Sequence, residues 1–431
     1  MKFSKFNLTR KLEKNFILYN TLTGGLTLLN QQNCFKFTEA EKNKKPSALP
    51  QSLLKPLKED GFIINADYDE DAIIKTRSLI GRAQNELILS VMLTLNCNFS
   101  CRCCFEEKRK INMNNETEKN VIAYIAKKAK KVEKISIDWY GGEPLLRFEQ
   151  LKRINDEISD ICKKEDTDYS ISITTNGYLL DKNVINYLKN FKVSHLQITL
   201  DGPPETHNYN RPLSTGKPTF EKIFKNITFA VDENIPVIVR VNVEKRNAEK
   251  IINLYNIFEK NGLKNKVAIL LKSVLSSLSN PCKENCLTSI ESGKIMMSVY
   301  KEAALNGWIV LPYIDNLQNY EFCIVDSIGQ MIIDPKGYVY KCGERFSKSE
   351  RVGKILQNGE ILFYDYELSK WLSKNPFDFS ECKKCKILPI CMGGCSMKRL
   401  WMPSEPPCLN IKYCLNEFLE VMVLSETNKN A

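Results

Sequence analysis

The sequence predicts an α/β protein whose centre is a partial (β/α)6 TIM barrel, preceded by a small unit of winged-helix character and followed by a cysteine-rich domain. Strand-like and helix-like runs alternate between residues 89 and 315, and six βα repeats imply a parallel sheet with right-handed crossovers. Eight of the sixteen cysteines lie beyond this zone, where bound clusters would replace a hydrophobic core. The predicted domains are therefore residues 1–88, 89–315 and 316–431.

The first zone predicts an α+β unit. Its patterns favour, in order, strand 16–20, strand 25–29, helix 49–59, strand 62–65 and helix 69–82. Glycines between the first two strands suit a turn, and acidic residues open the last helix, where the helix dipole favours them. Pro56 lies inside the first helical pattern and is expected to kink or break that helix.

The central zone supplies the barrel. The strand-like runs are 87–95, 135–139, 170–175, 196–200, 237–243 and 267–271. The helical runs between them are 116–131, 146–164, 183–191, 220–232 and 250–261. This length favours a partial barrel over a complete eight-stranded one, and barrels place their sites at the carboxyl ends of the strands.

Composition and charge exclude several classes of protein. The net charge is +11, from 62 basic and 51 acidic residues, but the lysines are dispersed without regular aromatic interleaving, so no nucleic-acid partner is expected. The apolar runs are too short for a transmembrane helix, and the N-terminus lacks the apolar stretch of a signal peptide. We therefore expect a cytoplasmic protein with no membrane partner and with reduced thiols.

Cysteine usage indicates metal chemistry. With sixteen cysteines and two histidines, most ligands would be thiolates, which favours iron–sulfur clusters or zinc. Directly after the first central strand, Cys97, Cys101 and Cys104 have the spacing C-x3-C-x2-C. Three thiolates on one loop can hold three irons of a [4Fe–4S] cube and leave the fourth iron for a small molecule. Zinc sites prefer C-x2-C pairs and four protein ligands, so a zinc knuckle is the weaker alternative.

This loop resembles the signature of the radical S-adenosylmethionine (SAM) superfamily, which makes its three cysteines the predicted catalytic cluster ligands. A second element agrees, because Gly141, Gly142 and Glu143 lie in the run W-Y-G-G-E-P after the second strand. That run resembles the family element that meets the methionine amino group of SAM. Glycines permit close backbone approach, and a carboxylate suits an ammonium group.

Polar residues after later strands complete the predicted cofactor site. The run T-L-D-G-P, which begins at Thr199, and Arg211 beyond it resemble the S-L-D-G-P…H…R segment of family members, with threonine replacing serine. The resemblance implies that the hydroxyl of Thr199 and an arginine contact the carboxylate of SAM. Arg240 on the fifth strand is a second arginine candidate, with a structural ion pair as its alternative. His195 and His207 are expected to be satisfied or surface residues rather than general bases.

The C-terminal cysteines follow a regular pattern, C-x13-G-x4-C, then C-x2-C-x5-C-x3-C, then a last cysteine. This pattern resembles the seven-cysteine SPASM extension, which carries two auxiliary [4Fe–4S] clusters, and zinc ribbons are the alternative. The resemblance assigns four cysteines to an outer cluster: Cys382, Cys385, Cys391 and Cys414. It assigns three cysteines to an inner cluster: Cys323, Cys342 and Cys395.

The inner set therefore has only three thiolates. Some family members have an eighth cysteine about six residues after the first, and that position here is Gly329. We predict an open coordination site on the inner cluster, able to bind a substrate thiolate. Cys408 or another leftover cysteine is the alternative fourth ligand.

The N-terminal zone resembles the recognition element fused to peptide-modifying radical enzymes. Such units bind a leader peptide as an added strand on a sheet edge, here expected at 25–30 beside the helix near 72–82. A dimerisation or packing appendage is the alternative.

Together these resemblances imply a SPASM-type maturase of a ribosomally made precursor peptide. It would use SAM, three [4Fe–4S] clusters and an electron donor such as flavodoxin or ferredoxin. A 5′-deoxyadenosyl radical would abstract a substrate hydrogen, leading to a thioether crosslink, or nearly as readily to a carbon–carbon one. The runner-up is an anaerobic sulfatase-maturing enzyme, in which an aspartate follows the second SPASM cysteine, whereas Gly343 follows Cys342 here. A zinc-binding or DNA-binding protein without enzymatic activity is a third hypothesis.

Overall fold

The structure is a computed structural model of the 431-residue chain. It describes residues 1–83, 85–104, 110–274, 283–310, 323–402 and 407–430. Chain contacts divide the described residues into two compact units. The first unit comprises Met1–Arg82, Gly293–Phe322 and Lys374–Ala431, and the second comprises Ala83–Ser292 and Cys323–Ser373. The predicted three domains, 1–88, 89–315 and 316–431, stay a prediction.

The N-terminal part of the first unit is an α+β structure. Its strands are β1 Lys2–Phe3, β2 Asn7–Lys11, β3 Asn15–Asn20, β4 Leu26–Asn30 and β5 Ile63–Ile64. Its helices are α1 Gln31–Lys42, α2 Gln51–Glu59 and α3 Glu70–Arg82. β2, β3 and β4 form an antiparallel sheet in that order, and β1 pairs with β5. The predicted strands and helices of this zone are present, whereas β1, β2 and α1 lay outside the prediction.

Pro56 does not break α2, so the expected break was wrong, whereas the expected kink stays a prediction. The helix continues from Gln51 to Glu59, and Asp60 N–H donates to Pro56 O at 3.0 Å. Leu53, Leu54 and Leu57 bury one face of α2 in the core of this part. Tertiary burial of that face outweighs the missing backbone donor of Pro56, which lies on the exposed face.

The second unit is built on a ten-stranded sheet. Its strands are β6 Glu86–Met92, β7 Lys134–Tyr140, β8 Asp168–Thr175, β9 Val193–Thr199, β10 Val237–Val243, β11 Ala268–Ser273, β12 Gln330–Ile333, β13 Tyr338–Tyr340, β14 Gly353–Ile355 and β15 Ile361–Phe363. The order is β11-β10-β9-β8-β7-β6-β12-β13-β14-β15. β6 to β11 are parallel, β12 adds in parallel to β6, and the hairpins beyond it are antiparallel.

Helices connect the parallel strands: α4 Asn115–Ala129, α5 Phe148–Lys164, α6 Lys182–Leu188, α7 Pro204–Asn210, α8 Phe220–Asp232 and α9 Ile251–Lys260. Alternation within each strand separates a buried face from a polar one. In β10 the four valines are buried, whereas Ile238, Arg240 and Asn242 on the other face are half-buried. A strand packed between helices and a site requires this period of two.

The predicted α/β class with a mostly parallel sheet is confirmed. All six predicted central strands and all five predicted helices are present, with ends that differ by a few residues. Two observations were not predicted. The helix α7 follows β9, and β12, from the zone assigned to the C-terminal domain, pairs with β6 of the central sheet.

The rest of the first unit is helical. Its helices are α10 Ser289–Leu305, α12 Ser380–Lys383, α13 Leu388–Cys391, α14 Ser396–Trp401 and α15 Leu415–Lys429. The first turn of α10 is assigned to the second unit, which also contains α11 Asp365–Leu372. Glu420 on α15 is paired with Arg10 of β2 and Lys301 of α10. Tyr19 and Phe418 pack edge to face at 6.1 Å. These contacts join the N-terminal sheet to the last helix.

Among the described residues, no helix is long and apolar enough to cross a membrane.

Replacing Pro56 by alanine tests the account of α2. A proline inside a helix costs about 3 kcal/mol relative to alanine, and its stiffness in the unfolded chain returns about 1 kcal/mol. We expect Pro56→Ala to raise the thermal unfolding midpoint by a stabilisation of about 1–2 kcal/mol. Lys55→Ala, also exposed on α2, should leave the midpoint nearly unchanged. A lower midpoint for Pro56→Ala would contradict this account.

Candidate functional site

A cavity of about 170 Å³ lies at the carboxyl ends of the parallel strands. Its lining includes eight of the predicted site residues: Cys97, Cys101, Cys104, Gly141, Gly142, Thr199, Arg211 and Arg240. The cysteines lie on the loop after β6, the glycines follow β7, and Thr199 ends β9, as the barrel argument expected. Arg211 follows α7, whereas Arg240 lies in the middle of β10. The convergence of these eight residues is a fact of the structure, whereas their roles toward a cofactor stay predictions.

The two glycines pack against the chain that leads into the cysteine loop. Gly142 N–H donates to Thr94 O, and Glu143 N–H donates to Asn96 O, both at 2.9 Å. A Cβ on Gly141, whose φ is +132°, would lie 2.4 Å from Thr94 O, and one on Gly142 would lie 2.3 Å from Asn96 O. Glycine is therefore required at both positions by backbone contact within the protein, in addition to any approach of a ligand.

Glu143 is fully buried and supports the site from within the protein. Its carboxylate accepts hydrogen bonds from Thr175 Oγ1 at 2.7 Å, Asn176 N–H at 2.8 Å and Leu145 N–H at 3.1 Å. Burial raises the pKa of Glu143 to about 7, against these hydrogen bonds, which lower it. The contacts tie the end of β7 to the end of β8. A contact between this carboxylate and an ammonium group stays a prediction.

Arg211 is held by a carboxylate and faces the cysteine loop. Its Nε donates to Asp201 Oδ2 at 2.6 Å, and its Nη1 lies 3.7 Å from Cys101 Sγ. Burial lowers the pKa of Arg211, but the charges of Asp201 and Cys101 outweigh burial, so the pKa lies above its usual range. Asp201 also accepts from Asn242 N–H at 3.1 Å. A fixed positive charge beside a ligand loop stabilises thiolates.

Thr199 and Arg240 are neighbours across the sheet, because they are paired in the register of β9 and β10. Arg240 Nε donates to Asn242 Oδ1 at 2.9 Å, so an amide of the same strand holds this guanidinium group. Glu344 lines the same cavity. Burial raises the pKa of Glu344, and the charge of Arg240 lowers it.

Three acidic groups of this region were missed by sequence reasoning. Glu244 lines the cavity after β10, accepts from Asn210 Nδ2 at 2.8 Å and lies 3.5 Å from Cys103 Sγ. Asp138 on β7 accepts from Ser172 Oγ at 2.9 Å, and burial raises its pKa to about 6. The position of Glu244 directly after a predicted strand was the available signal. Glu344 had no such signal, because it follows an antiparallel hairpin.

His207 is a structural residue, as expected. It is fully buried, its Nδ1 accepts from Asp201 N–H at 3.3 Å, and its Nε2 lies 3.1 Å from Thr219 Oγ1. Burial lowers the pKa of His207 to about 3, so the ring is neutral at physiological pH and holds the loop that carries Arg211.

The donor set of the cavity fits an open iron–sulfur cluster. Three thiols from one loop line one cavity with an arginine beside Cys101, and Asn176 Nδ2 lies 3.8 Å from Cys97 Sγ. Within the described ranges, no three His, Cys, Asp or Glu side chains converge closely enough to chelate a single metal ion. Polar donors around ligand sulfurs are typical of cluster sites.

The C-terminal cysteines are divided between the two units. Cys323 and Cys342 belong to the second unit, and the other five predicted auxiliary ligands belong to the first: Cys382, Cys385, Cys391, Cys395 and Cys414. Gly329 contacts β6 closely, because a Cβ there would lie 2.4 Å from Glu86 O. Backbone packing therefore disfavours any side chain, including a cysteine, at the position where some family members have an eighth ligand.

Comparison with known proteins identifies the central part of the chain. Residues 91–258 match the family model of the Radical SAM superfamily. This range includes the cysteine loop, the glycine pair and the strands up to β10. The chain therefore contains a radical SAM domain, which implies SAM and a [4Fe–4S] cluster as cofactors.

Two similar proteins extend beyond that domain. The radical SAM cyclopropyl synthase TigE of Paramaledivibacter caminithermalis is 23% identical over 435 aligned positions, which cover 90% of this chain and 88% of that protein. A cysteine-type anaerobic sulfatase-maturating enzyme of Clostridium perfringens is 25% identical over 369 positions, covering 75% of this chain and 92% of that enzyme.

Solved structures show the same fold. Native anSMEcpe with bound AdoMet and Kp18Cys peptide superposes with a TM-score of 0.63 at 20% identity, covering 80% of this chain and 100% of that chain. Streptococcus suis SuiB bound to precursor peptide SuiA superposes with a TM-score of 0.54 at 17% identity, covering 96% and 99%. The chain thus contains a radical SAM domain, shares the fold of these solved structures, and is similar to a cyclopropyl synthase and to a sulfatase-maturating enzyme.

Gly142→Ala tests the contact that holds the cysteine loop. The new methyl group would collide with Asn96 O, and overpacking of this kind costs about 1–3 kcal/mol. We expect a lower thermal midpoint and less iron in the anaerobically reconstituted protein. Gly343→Ala is the matched control, since its Cβ would meet Ile332 Cδ1 at a comfortable 3.9 Å. Wild-type iron content and midpoint for Gly142→Ala would contradict the proposed contact.

Proposed function

We propose that this chain is a SPASM-type radical SAM enzyme that forms a crosslink in a ribosomally made precursor peptide. The observation that carries the proposal is the convergence of the cysteine loop, the glycine pair and two arginines on one cavity. A thioether between a cysteine and another residue's carbon is the favoured product. A carbon–carbon bond is the alternative product, and the similarity to a cyclopropyl synthase supports it.

The residues of the cavity have separable tasks in this proposal. When bound, the cluster and SAM would supply the 5′-deoxyadenosyl radical chemistry that removes one hydrogen atom from a substrate carbon, and auxiliary clusters would supply an acceptor for the remaining electron. Cys97, Cys101 and Cys104 hold the cluster, and Arg211 stabilises the thiolate of Cys101. Thr199 and Arg240 orient the carboxylate of SAM. The walls position the carbon and exclude water.

Two auxiliary clusters are part of the proposal. Their support is the spacing of the seven C-terminal cysteines. The inner set of Cys323, Cys342 and Cys395 offers three thiolates, and backbone packing at Gly329 disfavours a fourth there. An iron with an open position can bind the sulfur of a substrate cysteine, which favours the thioether product. An external donor such as flavodoxin or ferredoxin supplies the electron that starts each turnover.

The N-terminal sheet is the proposed site for the leader of the precursor peptide. β4 lies at the edge of its three-stranded sheet, where an extended peptide can add as a further strand. Leu28 on β4 and Leu79 and Ile80 on α3 are exposed apolar side chains, which suit a peptide with alternating apolar residues. The solved relative SuiB is described with a bound precursor peptide.

Sulfatase maturation is the second candidate function. It is supported by the similarity to cysteine-type sulfatase-maturating enzymes and by Glu344, a carboxylate that lines the cavity two residues beyond Cys342. The aspartate that serves as base in that family follows its cysteine directly, and Gly343 occupies that position here. Glu344 lies on the wall of the cavity and can still accept a proton from the substrate.

Mass spectrometry of a reacted peptide distinguishes the two functions. The anaerobic enzyme is incubated with SAM, a reductant and a short cysteine-containing peptide encoded by a neighbouring reading frame. A crosslink removes two hydrogens and leaves the thiol blocked to alkylation for a thioether, with one 5′-deoxyadenosine formed per bond. Exchange of the cysteine sulfur for oxygen in a sulfatase peptide supports maturation instead. Failure to form 5′-deoxyadenosine would refute both functions.

Glu344→Gln tests the proton acceptor of the cavity. Loss of a general base lowers a rate by about 100-fold or more, so we expect peptide product to fall by that factor while 5′-deoxyadenosine continues to form. Glu360→Gln, at a half-exposed ion pair with Lys127 of the same unit, is the matched control. Equal product formation by Glu344→Gln and wild type would exclude Glu344 as proton acceptor.

A further inference from the structure

The segment that carries Cys408 runs beside the loop of the outer-cluster cysteines. Pro407 O accepts a hydrogen bond from Cys395 N–H at 2.8 Å. Gly394 contacts the same segment, since a Cβ on it would lie 2.0 Å from Pro407 O and 3.1 Å from Cys408 Cα. Any larger residue at Gly394 would push the segment away, so the two stretches of chain are built to lie together.

The thiols themselves are connected across this contact. Leu409 N–H, next to Cys408, donates to Cys391 Sγ. Lys412 Nζ donates to Cys408 Sγ at 3.2 Å. An ammonium group therefore contacts Cys408, and the residue next to Cys408 contacts a predicted outer ligand.

Arg399 places Cys382 at the same contact. Its Nη2 donates to Cys382 Sγ at 3.3 Å, and its Nε donates to Gly393 O at 2.7 Å. Gly393 is next to Gly394, the residue that contacts Cys408. The segment of Cys408 therefore lies beside the loop that carries the predicted outer ligands.

Cys414 has different surroundings. It is buried at the start of α15, and its thiol donates to Asn410 O at 3.4 Å. A Cβ on Gly293 of α10 would lie 3.3 Å from Cys414 Sγ. These are the contacts of a thiol packed between helices.

We propose that Cys408, in place of Cys414, is the fourth ligand of the outer auxiliary [4Fe–4S] cluster, with Cys382, Cys385 and Cys391. The inference rests on the auxiliary clusters of the proposed function and changes the ligand that the family spacing assigned. Four thiolates around a cube create an excess of negative charge. Lys412 on Cys408 and Arg399 on Cys382, at 3.3 Å, donate charge-assisted hydrogen bonds to two ligand sulfurs.

One consequence concerns the inner set. With Cys408 in the outer cluster, it is no longer available as the fourth ligand of the inner cluster. Cys323, Cys342 and Cys395 stay three, and the open position proposed for substrate is retained.

Iron content of matched variants tests the assignment on the full-length protein. Wild type, Cys408→Ala, Cys408→Ser, Cys414→Ala and Cys414→Ser are reconstituted anaerobically, and iron and sulfide are measured per chain with thermal unfolding as a check of the fold. Wild type should hold about 12 irons, as three cubes. We expect the Cys408 variants to lose about four irons and the Cys414 variants to keep all. Cys414→Ser retains a donor for Asn410 O, so a packing defect in the alanine variant does not decide the result.

Alkylation gives a second measurement. Under native anaerobic conditions, Cys408 should become reactive to iodoacetamide when iron is removed with a chelator, because it is half-buried and released by the cluster. Cys414, at 3% exposure, should stay unlabelled before and after. Loss of about four irons in the Cys414 variants, or full iron in the Cys408 variants, would overturn the assignment. A wild-type protein with only about four irons would instead refute the auxiliary clusters themselves.

Discussion

The backbone contact between the end of β7 and the chain leaving β6 is the constraint on which the site depends. Two hydrogen bonds, from Gly142 N–H to Thr94 O and from Glu143 N–H to Asn96 O, connect the residues after β7 to the chain that leads into Cys97. Neither glycine position admits a Cβ. The loop that carries three thiols is thereby held by a rigid sheet, which is how a scaffold keeps a reactive constellation in place.

Buried hydrogen bonds and an ion pair hold other residues around the cavity in place. Glu143 ties the end of β7 to β8 through Thr175 and Asn176, and Asp201 holds Arg211 toward the cysteine loop. Each carboxylate is buried and each is satisfied by donors, which is the condition under which a buried charge is tolerated. The neighbouring neutral His207 keeps the Asp201 loop in place without adding a charge.

Much of this arrangement could be predicted from the sequence. The alternation of strand-like and helical runs predicted all six central strands. The position of the cysteine loop after the first of them indicated the end of the sheet where the cavity lies. The helix α2 was predicted, but its continuation through Pro56 was not, because the buried leucine face outweighs the local preference against proline. The parallel pairing of β12 was not predicted, because it depends on its neighbour β6, which lies more than 200 residues away in the sequence.

By itself the sequence determined the local chemistry: three thiols on one loop, two glycines and a carboxylate after the next strand, and a cysteine-rich end. Ligands within a few residues of each other are set by spacing alone, since a short loop has few ways to direct them. Only the tertiary structure decided that Glu143 is enclosed by protein donors, that Glu344 reaches the cavity, and that Cys408 lies beside Cys391 while Cys414 packs against α10. Those outcomes depend on contacts between segments distant in the chain, and spacing contains no information about which of two nearby cysteines the fold brings to a partner.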